Sequence, residues 1–412
     1  MPTDVQPFPV RDPDVTHVVI ELFGGDNNLS SYVLEDLQEM AAGNSGRIAT
    51  LALADFEDRP AQVVELSPEA GRRVIASLGE VDTGDPETLA TFIARALVSY
   101  PAAAHKALGF WDHGTGVFDE DDPNEVSLDR ALRRVARRSR SRSFPARRLF
   151  VARSRLAANP RLRAMLHDDT DGGVLTNYEA YGVVKAAFQR AGVAGVDMIF
   201  SDTCLNGMVE VLEQFKDFTD VVVGSEDLEP GDGWDYERLF RAMSEGPPVD
   251  GVEWGRMAVQ AYEDGYRNRP NQHPCTLGAF RSQHGITAAF ERLVAALRPE
   301  GRRGFAWVQE ARAFSQSFDR RDTYDVKDFA TRLLGIGETA AVRDACGALA
   351  ASVDEARIHA TALGDDVQDA HGLAFWLPSN RTAFRRVAGT YAKLRFDQAT
   401  GWSSYLGTIF AT

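Results

Sequence analysis

The sequence reads Phe110-Trp111-Asp112-His113-Gly114-Thr115-Gly116 where an apolar run ends. A second apolar run ends in Ser201-Asp202-Thr203-Cys204, and an apparent helix follows it from Met208 to Phe215. Each stretch delivers one reactive side chain, His113 or Cys204, to the end of a predicted strand. Cysteine hydrolases bring a base to a nucleophile in this way, from positions far apart in sequence. The two stretches therefore predict a Cys/His pair at one edge of a sheet.

Up to about residue 245, strand and helix patterns alternate along the chain. Residues 16–23 are almost continuously apolar, which is typical of a buried strand. Further strands are predicted at 48–55, 62–66, 106–111, 196–201 and 221–224, and helices at 86–100, 177–191 and 204–215. Asp26 and Asn28 are interpreted as turn and cap residues before another helix. This order predicts an α/β fold whose mostly parallel sheet is covered by helices on both faces, with the site at the carboxyl ends of the strands.

Beyond Asp250 the pattern changes to helices separated by short apolar runs. Helices are predicted at 252–266, 285–297 and 339–363, and the clearest later strand is predicted at 370–377. We therefore predict one domain over residues 1–245 and a smaller, mainly helical C-terminal lobe over residues 246–412 that packs on it.

The composition is that of an ordinary globular protein, with 412 residues of which 44% are hydrophobic and 25% are charged. No run approaches the roughly 18 apolar residues of a membrane span, and no signal peptide is visible at the start, so we expect a cytoplasmic protein. Three cysteines, odd in number and widely spaced, argue against a disulfide framework. Apart from Cys204, we expect them (Cys275 and Cys346) to be small buried residues.

An arginine-rich segment lies between the two reactive residues. Residues 130–163 hold 13 arginines and no acidic residue, although the net charge of the whole chain is −15. Like charges in a block repel one another, so we expect an exposed segment. The alternative for its first half is a solvated helix, because Leu128, Leu132 and Val135 have helical spacing. Binding of nucleic acid to this segment is the less favoured function, since few aromatic residues are available to stack on bases.

Further motifs run in order along the chain. They are Gly25-Asp26-Asn27-Asn28-Leu29, Asp168-Asp169-Thr170-Asp171-Gly172-Gly173, Glu229-Pro230-Gly231-Asp232-Gly233-Trp234, His371-Gly372-Leu373, and Phe396 with Trp402. Together with the stretches around His113 and Cys204, they resemble the clostripain-like cysteine peptidases. The resemblance implies a caspase-like fold, with a peptidase domain over residues 1–245, and it implies cysteine endopeptidase activity.

The resemblance also implies roles for individual residues. Cys204 is the nucleophile, His113 is its partner, and the backbone N–H groups of Gly114 and Cys204 form the oxyanion hole. A thiol titrates near pH ~8.5, whereas the thiolate is the nucleophile, so we expect Cys204 to lie at the N-terminus of the following helix, where the dipole favours negative charge. His113 can pass a proton to the leaving amine, with its tautomer fixed by the group that bonds its other nitrogen.

Asp202 lies two residues before Cys204, so both side chains point to the same side if the strand continues. The resemblance places this residue in the S1 pocket. A buried carboxylate pairs best with a guanidinium, so we predict cleavage after Arg, with Lys second, in a protein substrate that exposes such a site. Asp232 is a second candidate for the pocket wall, and the alternative is a simple turn aspartate.

A peptidase that cuts after arginine finds an excellent substrate in its own residues 130–163. Relatives mature by cleavage in the corresponding region into two chains that stay associated. We therefore predict autoprocessing, with Arg138, Arg140, Arg142 and Arg148 as the leading sites. The alternative is a catalytically latent relative that only binds peptides, but no expected site residue is missing.

No cofactor is required by this chemistry, although Ca²⁺ is a possible ligand. Asp119-Glu120-Asp121-Asp122 and Asp168-Asp169-Thr170-Asp171 supply oxygen ligands suited to Ca²⁺, and some relatives depend on calcium. Neither cluster matches an EF-hand loop, so solvated acidic turns are the favoured interpretation. The spacing of His and Cys residues shows no zinc pattern.

Overall fold

The computed structural model describes residues 5–11, 15–118, 165–318 and 322–410. The predicted cleavage sites Arg138, Arg140, Arg142 and Arg148 lie outside the described residues, and so does the acidic cluster at 119–122.

The strands that position the site alternate with helices along the chain. The strands are β1 (His17–Phe23), β2 (Ile48–Ala54), β3 (Ala61–Ser67), β4 (Gly71–Gly79), β5 (His105–Trp111), β6 (Leu166–His167), β7 (Val174–Leu175), β8 (Val196–Asp202), β9 (Thr219–Gly224), β10 (Cys275–Arg281), β11 (Thr323–Asp325), β12 (Arg357–Leu363) and β13 (Ala374–Trp376). The helices are α1 (Ser30–Gly43), α2 (Pro86–Ser99), α3 (Asn177–Ala191), α4 (Val209–Phe215), α5 (Tyr236–Glu245), α6 (Gly251–Tyr266), α7 (Ile286–Leu297), α8 (Gly301–Phe314), α9 (Val326–Ile336), α10 (Ala340–Ala356), α11 (Arg381–Tyr391), α12 (Arg395–Thr400) and α13 (Trp402–Phe410).

One large sheet of nine strands, in the order β12-β10-β9-β8-β5-β1-β2-β3-β4, lies at the centre of the fold. The five central strands are parallel, and the two outer strands on each side are antiparallel to their inner neighbours. Every residue of β1 and β2 is buried, as expected for strands covered by helices on both faces. The predicted α/β fold with a mostly parallel, helix-covered sheet is confirmed.

Helix crossovers explain why the central strands are parallel. The chain passes from β1 through α1 to β2, and from β8 through α4 to β9. By contrast, β3 and β4 are joined by a short turn and form a hairpin. The carboxyl ends of all the parallel strands therefore lie at the same edge of the sheet. The ends of β5 and β8 are neighbours at this edge.

The chain beyond residue 245 contributes to this same sheet. β10 pairs with β9, and β12 pairs with β10. Strands from both sides of the predicted boundary between residues 245 and 246 therefore belong to one sheet. The helix predicted over 339–363 is wrong over its last seven residues. It ends at Ala356, and the segment that follows is the edge strand β12, whose polar and small side chains alternate too weakly to reveal a strand. None of the helices in the described ranges is long and apolar enough to cross a membrane.

Candidate active site

The pairing of β5 with β8 brings His113 and Cys204 to the same place. Trp111 is the register partner of Asp202, and His113 and Cys204 each follow two residues later. Gly114 packs directly against the Cys204 backbone, because a Cβ at this glycine would lie 2.0 Å from the Cys204 carbonyl oxygen and 2.9 Å from its nitrogen. Glycine is therefore required at 114, and the backbone groups predicted to form the oxyanion hole are adjacent.

Cys204 lies in a loop and not at the start of a helix. The helix begins only at Val209, with Met208 as its N-cap, so the prediction that a helix dipole acts on the thiol is wrong. The helix starts late because Leu205 has a φ of 64°, which is incompatible with a right-handed helix that begins directly after β8. A different group supports the sulfur: the backbone N–H of Glu229 donates to Cys204 Sγ over 3.3 Å. A hydrogen bond of this kind favours the thiolate.

The loop that carries Cys204 is tied to the segment after β9. Leu205 N donates to Asp227 O over 3.2 Å, and Gly207 N donates to Ser225 O over 2.7 Å. These bonds hold Leu205 in a left-handed conformation that costs roughly 1–3 kcal/mol for a residue other than glycine. The strained turn presents the buried Cys204 to the edge of the sheet where His113 lies.

Asn28 orients the ring of His113. The distance from His113 Nε2 to Asn28 Oδ1 is 3.0 Å. When Nε2 donates its proton to this oxygen, Nδ1 becomes the basic nitrogen of the neutral ring. Asn28 was interpreted from the sequence as a cap, but α1 begins at Ser30 without a side-chain cap. Its side-chain amide oxygen lies within hydrogen-bond distance of the histidine ring instead.

Asp112 joins three loops behind His113. Its Oδ1 accepts from His113 N over 2.5 Å and from Asn27 Nδ2 over 2.8 Å, and its Oδ2 accepts from His167 N. The carboxylate is fully buried. Because Asn27 adjoins Asn28, the same carboxylate fixes both His113 and the residue that orients its ring.

Replacement of Asp112 by Asn tests this role. The amide keeps the shape but cannot accept hydrogen bonds at both of its ends, so one buried N–H loses its partner. We expect the free energy of unfolding to fall by roughly 2–4 kcal/mol, measured by urea denaturation, together with a lower kcat. The exposed Asp58, which pairs with its neighbour Arg59, supplies the control variant Asp58→Asn. A change within about 0.5 kcal/mol for both variants contradicts this account.

Asp202 lies at the end of β8 and is fully buried. Its Oδ2 accepts from Tyr236 Oη over 2.9 Å and from Trp234 N over 3.4 Å. Gly233, with φ of 60°, closes over the same oxygen, and a Cβ there would lie 3.3 Å from it. Burial raises the pKa of Asp202 above its ordinary value.

The carboxyl group of Glu229 is buried near that of Asp202. Among the described residues, no group forms a hydrogen bond of normal geometry with Asp202 Oδ1 or with either oxygen of Glu229. Burial, and then the charge of Asp202, raise the pKa of Glu229 well above its ordinary value. Glu229 lies in one of the motifs of the sequence, but its place beside Asp202 is visible only in the fold.

Two more buried carboxyl groups lie near this pair. Burial, and next the charge of Asp202, raise the pKa values of Glu21 and Asp36 well above their ordinary values. Glu21 lies opposite Gly109, where a Cβ would come within 2.4 Å of its Oε2. The sequence signal for Glu21 is that it is an acidic residue inside an otherwise largely apolar strand. No lysine, arginine or histidine of the described ranges forms an ion pair with Glu21, Asp36, Asp202 or Glu229.

Asp232 lies next to Gly233, but its side chain points to a different space. It accepts from Gln272 Nε2 over 2.7 Å and from Arg269 Nη1 over 3.3 Å. It lines a cavity of about 580 Å³ that Asp36 and Trp234 also border, whereas Asp202 and Cys204 do not. The carboxylates of the two predicted pocket residues therefore have separate hydrogen-bond partners in the described ranges.

The other two cysteines differ from Cys204. Cys275 and Cys346 are free thiols with no exposed surface. Burial raises the pKa of each to about 12. They are small buried residues, as predicted, and neither has the accessible thiolate of a nucleophile.

The chain is similar to a known protein family and to solved structures. The model of the clostripain family, peptidase family C11, matches residues 22–131 and 157–408. A secreted C11 cysteine protease from Bacteroides thetaiotaomicron, solved with an irreversible peptide inhibitor, has a TM-score of 0.65 at 16% identity, over 94% of this chain and 99% of that chain. An inactive zymogen C11 protease from Parabacteroides distasonis has a TM-score of 0.62 at 18% identity, over 95% and 99%.

Curated proteins give no match. The two solved structures share the fold of this chain, and the family model covers most of its length. The chain therefore belongs to the clostripain family and is a cysteine peptidase.

Proposed function

We propose that this peptidase is an endopeptidase that cleaves after arginine, and less well after lysine, with Cys204 as nucleophile and His113 as its acid and base. The observation that carries the proposal is a buried carboxylate, Asp202, that has no cationic partner among the described residues and lies two residues from the nucleophile. A buried charge without a partner costs several kcal/mol, and a bound guanidinium offsets this cost.

The proposed reaction uses the atoms in the positions described. The Cys204 thiolate attacks the carbonyl carbon of the scissile bond, while the backbone N–H groups of Gly114 and Cys204 bind the developing oxyanion. The protonated His113 ring then gives its proton to the leaving amine, and a thioester remains on Cys204. His113 next removes a proton from water, which attacks the thioester and releases the acid product. Asn28 keeps the reactive nitrogen of His113 available throughout.

Glu229 lies beside both the nucleophile and Asp202. Its backbone N–H supports the sulfur. Burial, and then the charge of Asp202, raise the pKa of its carboxyl group well above its ordinary value, so we assign the negative charge of the pocket to Asp202. Tyr236 and the Trp234 backbone fix Asp202 from the other side, so that the charge is held in one position.

A set of fluorogenic peptides that differ only at P1 tests this specificity. We expect kcat/KM to be highest for Arg, lower for Lys, and poor for Leu and Asp. Arg leads because its planar guanidinium can bond a carboxylate through two N–H groups, whereas an ammonium offers a point charge. Strong cleavage after Asp or Leu contradicts the proposal.

We also propose that the enzyme matures by cutting itself within residues 130–163. The segment holds 13 arginines and lies between the two strands that carry the proposed dyad. The similar protein from Parabacteroides distasonis is described as an inactive zymogen. Because β5 and β8 pair directly in the sheet, two chains produced by such a cut are expected to stay associated.

Purified wild-type protein should convert to two fragments that co-elute, and the Cys204→Ala protein should remain whole. N-terminal sequencing of the second fragment identifies the bond, with Arg138, Arg140, Arg142 and Arg148 as the leading positions. Replacement of all arginines in 130–163 by glutamine should block conversion and reduce activity on peptides. A glutamine variant that is uncut and fully active shows that cleavage does not activate the enzyme.

A further inference from the structure

Two loops carry the proposed oxyanion hole: the histidine loop, residues 112–118, and the cysteine loop, residues 203–208. The two loops pack closely against each other. A Cβ at Gly114 would lie 2.9 Å from Thr203 Cβ, in addition to its contact with the Cys204 backbone. A shift of one loop against the other would therefore change the distance between the backbone N–H groups of Gly114 and Cys204.

Two buried asparagines join these loops. Asn206 Nδ2 donates to Thr203 Oγ1 over 2.5 Å within the cysteine loop. Asn177, the first residue of α3, donates from Nδ2 to Gly116 O in the histidine loop over 2.5 Å and to Asn206 Oδ1 over 3.4 Å. A side-chain amide has two N–H groups on its nitrogen, so it can make both bonds. Together with the packing of Gly114 on Thr203, these bonds form a closed ring across the two loops.

The asparagine on α3 is held in place from two sides. Thr176 and Glu179 form a capping box at the start of α3. Gln214 Nε2, from α4, donates to Asn177 O over 3.3 Å. Asn177 is 2% exposed and Asn206 is 1% exposed, so the ring is sealed from bulk water. Buried hydrogen bonds of this kind hold the groups that they join in one arrangement.

We propose that Asn206 and Asn177 are positioning residues, which hold the backbone N–H groups of Gly114 and Cys204 at the separation that binds the oxyanion. The inference rests on the proposed nucleophile and oxyanion hole, and it does not depend on the preference for arginine. Oxyanion-hole donors act only when they are aimed at the oxygen that becomes charged. A displacement of about 1 Å near the reacting atoms can lower the rate by roughly 100-fold. Loss of the ring should therefore lower kcat.

The alternative is that the two amides only stabilise the fold. Asn177 argues against it, because its Oδ1 is buried without a hydrogen-bond partner among the described residues, which costs stability. A residue that served stability alone would not be expected to carry this cost. The two roles also differ in their effects. A stabilising residue changes the melting temperature and leaves the kinetic constants of the folded enzyme as they are, whereas a positioning residue changes the constants that depend on the oxyanion hole.

Asn206→Ala in the full-length enzyme is the main test. We expect kcat for a P1-Arg peptide to fall roughly 10- to 100-fold, with KM changed less than about threefold. Constants are expressed per active site, titrated to completion with a peptidyl acyloxymethyl ketone, so that incomplete self-cleavage does not count as a loss. Asn380→Ala is the matched control, because the Asn380 side chain caps α11 and has no part in the ring. It should lower the melting temperature and keep kcat.

Two reagents separate the oxyanion hole from the thiolate. A peptide aldehyde with Arg at P1 accepts the thiolate at its carbonyl carbon, and the oxygen of the resulting hemithioacetal occupies the oxyanion hole. Its inhibition constant should therefore increase in Asn206→Ala in proportion to the loss of kcat. Iodoacetamide alkylates the thiolate with loss of iodide and forms no oxyanion. Its rate of reaction with Cys204 should stay within about twofold of the wild-type rate.

Two variants of Thr203 test the ring without a change at Asn206. Thr203→Val keeps the shape of the side chain and removes the oxygen that accepts from Asn206, so it should lower kcat and aldehyde affinity as Asn206→Ala does. Thr203→Ser keeps the hydroxyl group and should restore most of the activity that Thr203→Val loses. Because both residues belong to one ring, the double variant Asn206→Ala with Thr203→Val should lose little more than either single variant.

Three results overturn the proposal. The first is a change of less than about twofold in kcat and in aldehyde affinity in both Asn206→Ala and Thr203→Val, and the Thr203 pair decides alone if Asn206→Ala does not fold. The second is an equal loss in aldehyde affinity and in the rate of alkylation. The third is a similar loss of kcat in Asn380→Ala, since this makes the effect one of stability. An active Cys204→Ala enzyme would refute the nucleophile itself, so a failure of the proposed function is distinguishable from a failure of the ring.

Discussion

Cys204→Ala and His113→Ala should each lower kcat/KM on a P1-Arg peptide by roughly 10³-fold or more, because each removes a group that takes part directly in the chemistry. The variants should stay folded. His113 and Cys204 are each about one-twentieth exposed, but both lie at the edge of the sheet in loops that other residues fix. Circular dichroism and the melting temperature check the fold, and steady-state kinetics check the activity.

Cys346→Ala is the matched control for the nucleophile. It removes a thiol of the same size from a helix core, where burial holds the pKa at about 12, so activity should be kept. More than a few per cent of wild-type activity in Cys204→Ala, or a similar loss in both cysteine variants, contradicts the assignment of the nucleophile.

Asp202→Asn should lower kcat/KM for Arg by roughly 30- to 1000-fold, or about 2–4 kcal/mol, because it removes a buried charge at nearly constant volume. The amide oxygen can still accept from Tyr236, so the pocket should keep its shape. For peptides with an uncharged P1 residue, kcat/KM should change little. An equal loss for charged and uncharged P1 residues would mean that Asp202 supports the fold and not the specificity.

Two companion variants separate the carboxyl groups around Asp202. Glu229→Gln replaces the neighbouring buried carboxyl group and should lower kcat/KM for Arg less than Asp202→Asn does. Asp232→Asn should have the smallest effect, since its carboxylate already pairs with Arg269 and Gln272. A larger loss at Asp232 than at Asp202 places the specificity charge in the cavity that Asp232 lines.

The same pocket predicts a pH dependence. Burial raises the pKa of Asp202, so its charge is lost at a higher pH than that of an exposed aspartate, which titrates near pH ~3.9. KM for P1-Arg peptides should therefore increase as the pH falls, beginning above that value, and KM for P1-Leu peptides should not follow it.

The fold and the position of the site were predictable because local patterns were strong. The continuous apolar run of β1 was predicted with nearly correct bounds, α3 lies at the predicted residues 177–191, and the parallel order followed from the alternation of strands and helices. The same reasoning brought His113 and Cys204 to one edge. The helix predicted over 204–215 starts five residues too early, because the left-handed turn at Leu205 carries no glycine to reveal it.

The surroundings of the site were not predictable from local patterns, because they join residues distant in sequence. Asn28 reaches His113 across 85 residues, and Glu229 N–H reaches Cys204 across 25. The nearness of the buried Asp202 and Glu229 carboxyl groups depends on which loops the sheet order places together. Periodicity shows which face of a strand is buried, but it does not show which polar groups meet there.

The nucleophile and the P1 preference can be tested together by labelling the enzyme with a peptidyl acyloxymethyl ketone that carries Arg at P1 and locating the adduct by tandem mass spectrometry. We expect one adduct per chain, on Cys204, with Cys275 and Cys346 unmodified, and much slower labelling in Asp202→Asn and with a P1-Asp reagent. An adduct on another residue would show that Cys204 is not the nucleophile, and faster labelling by the P1-Asp reagent would show that the pocket does not prefer Arg.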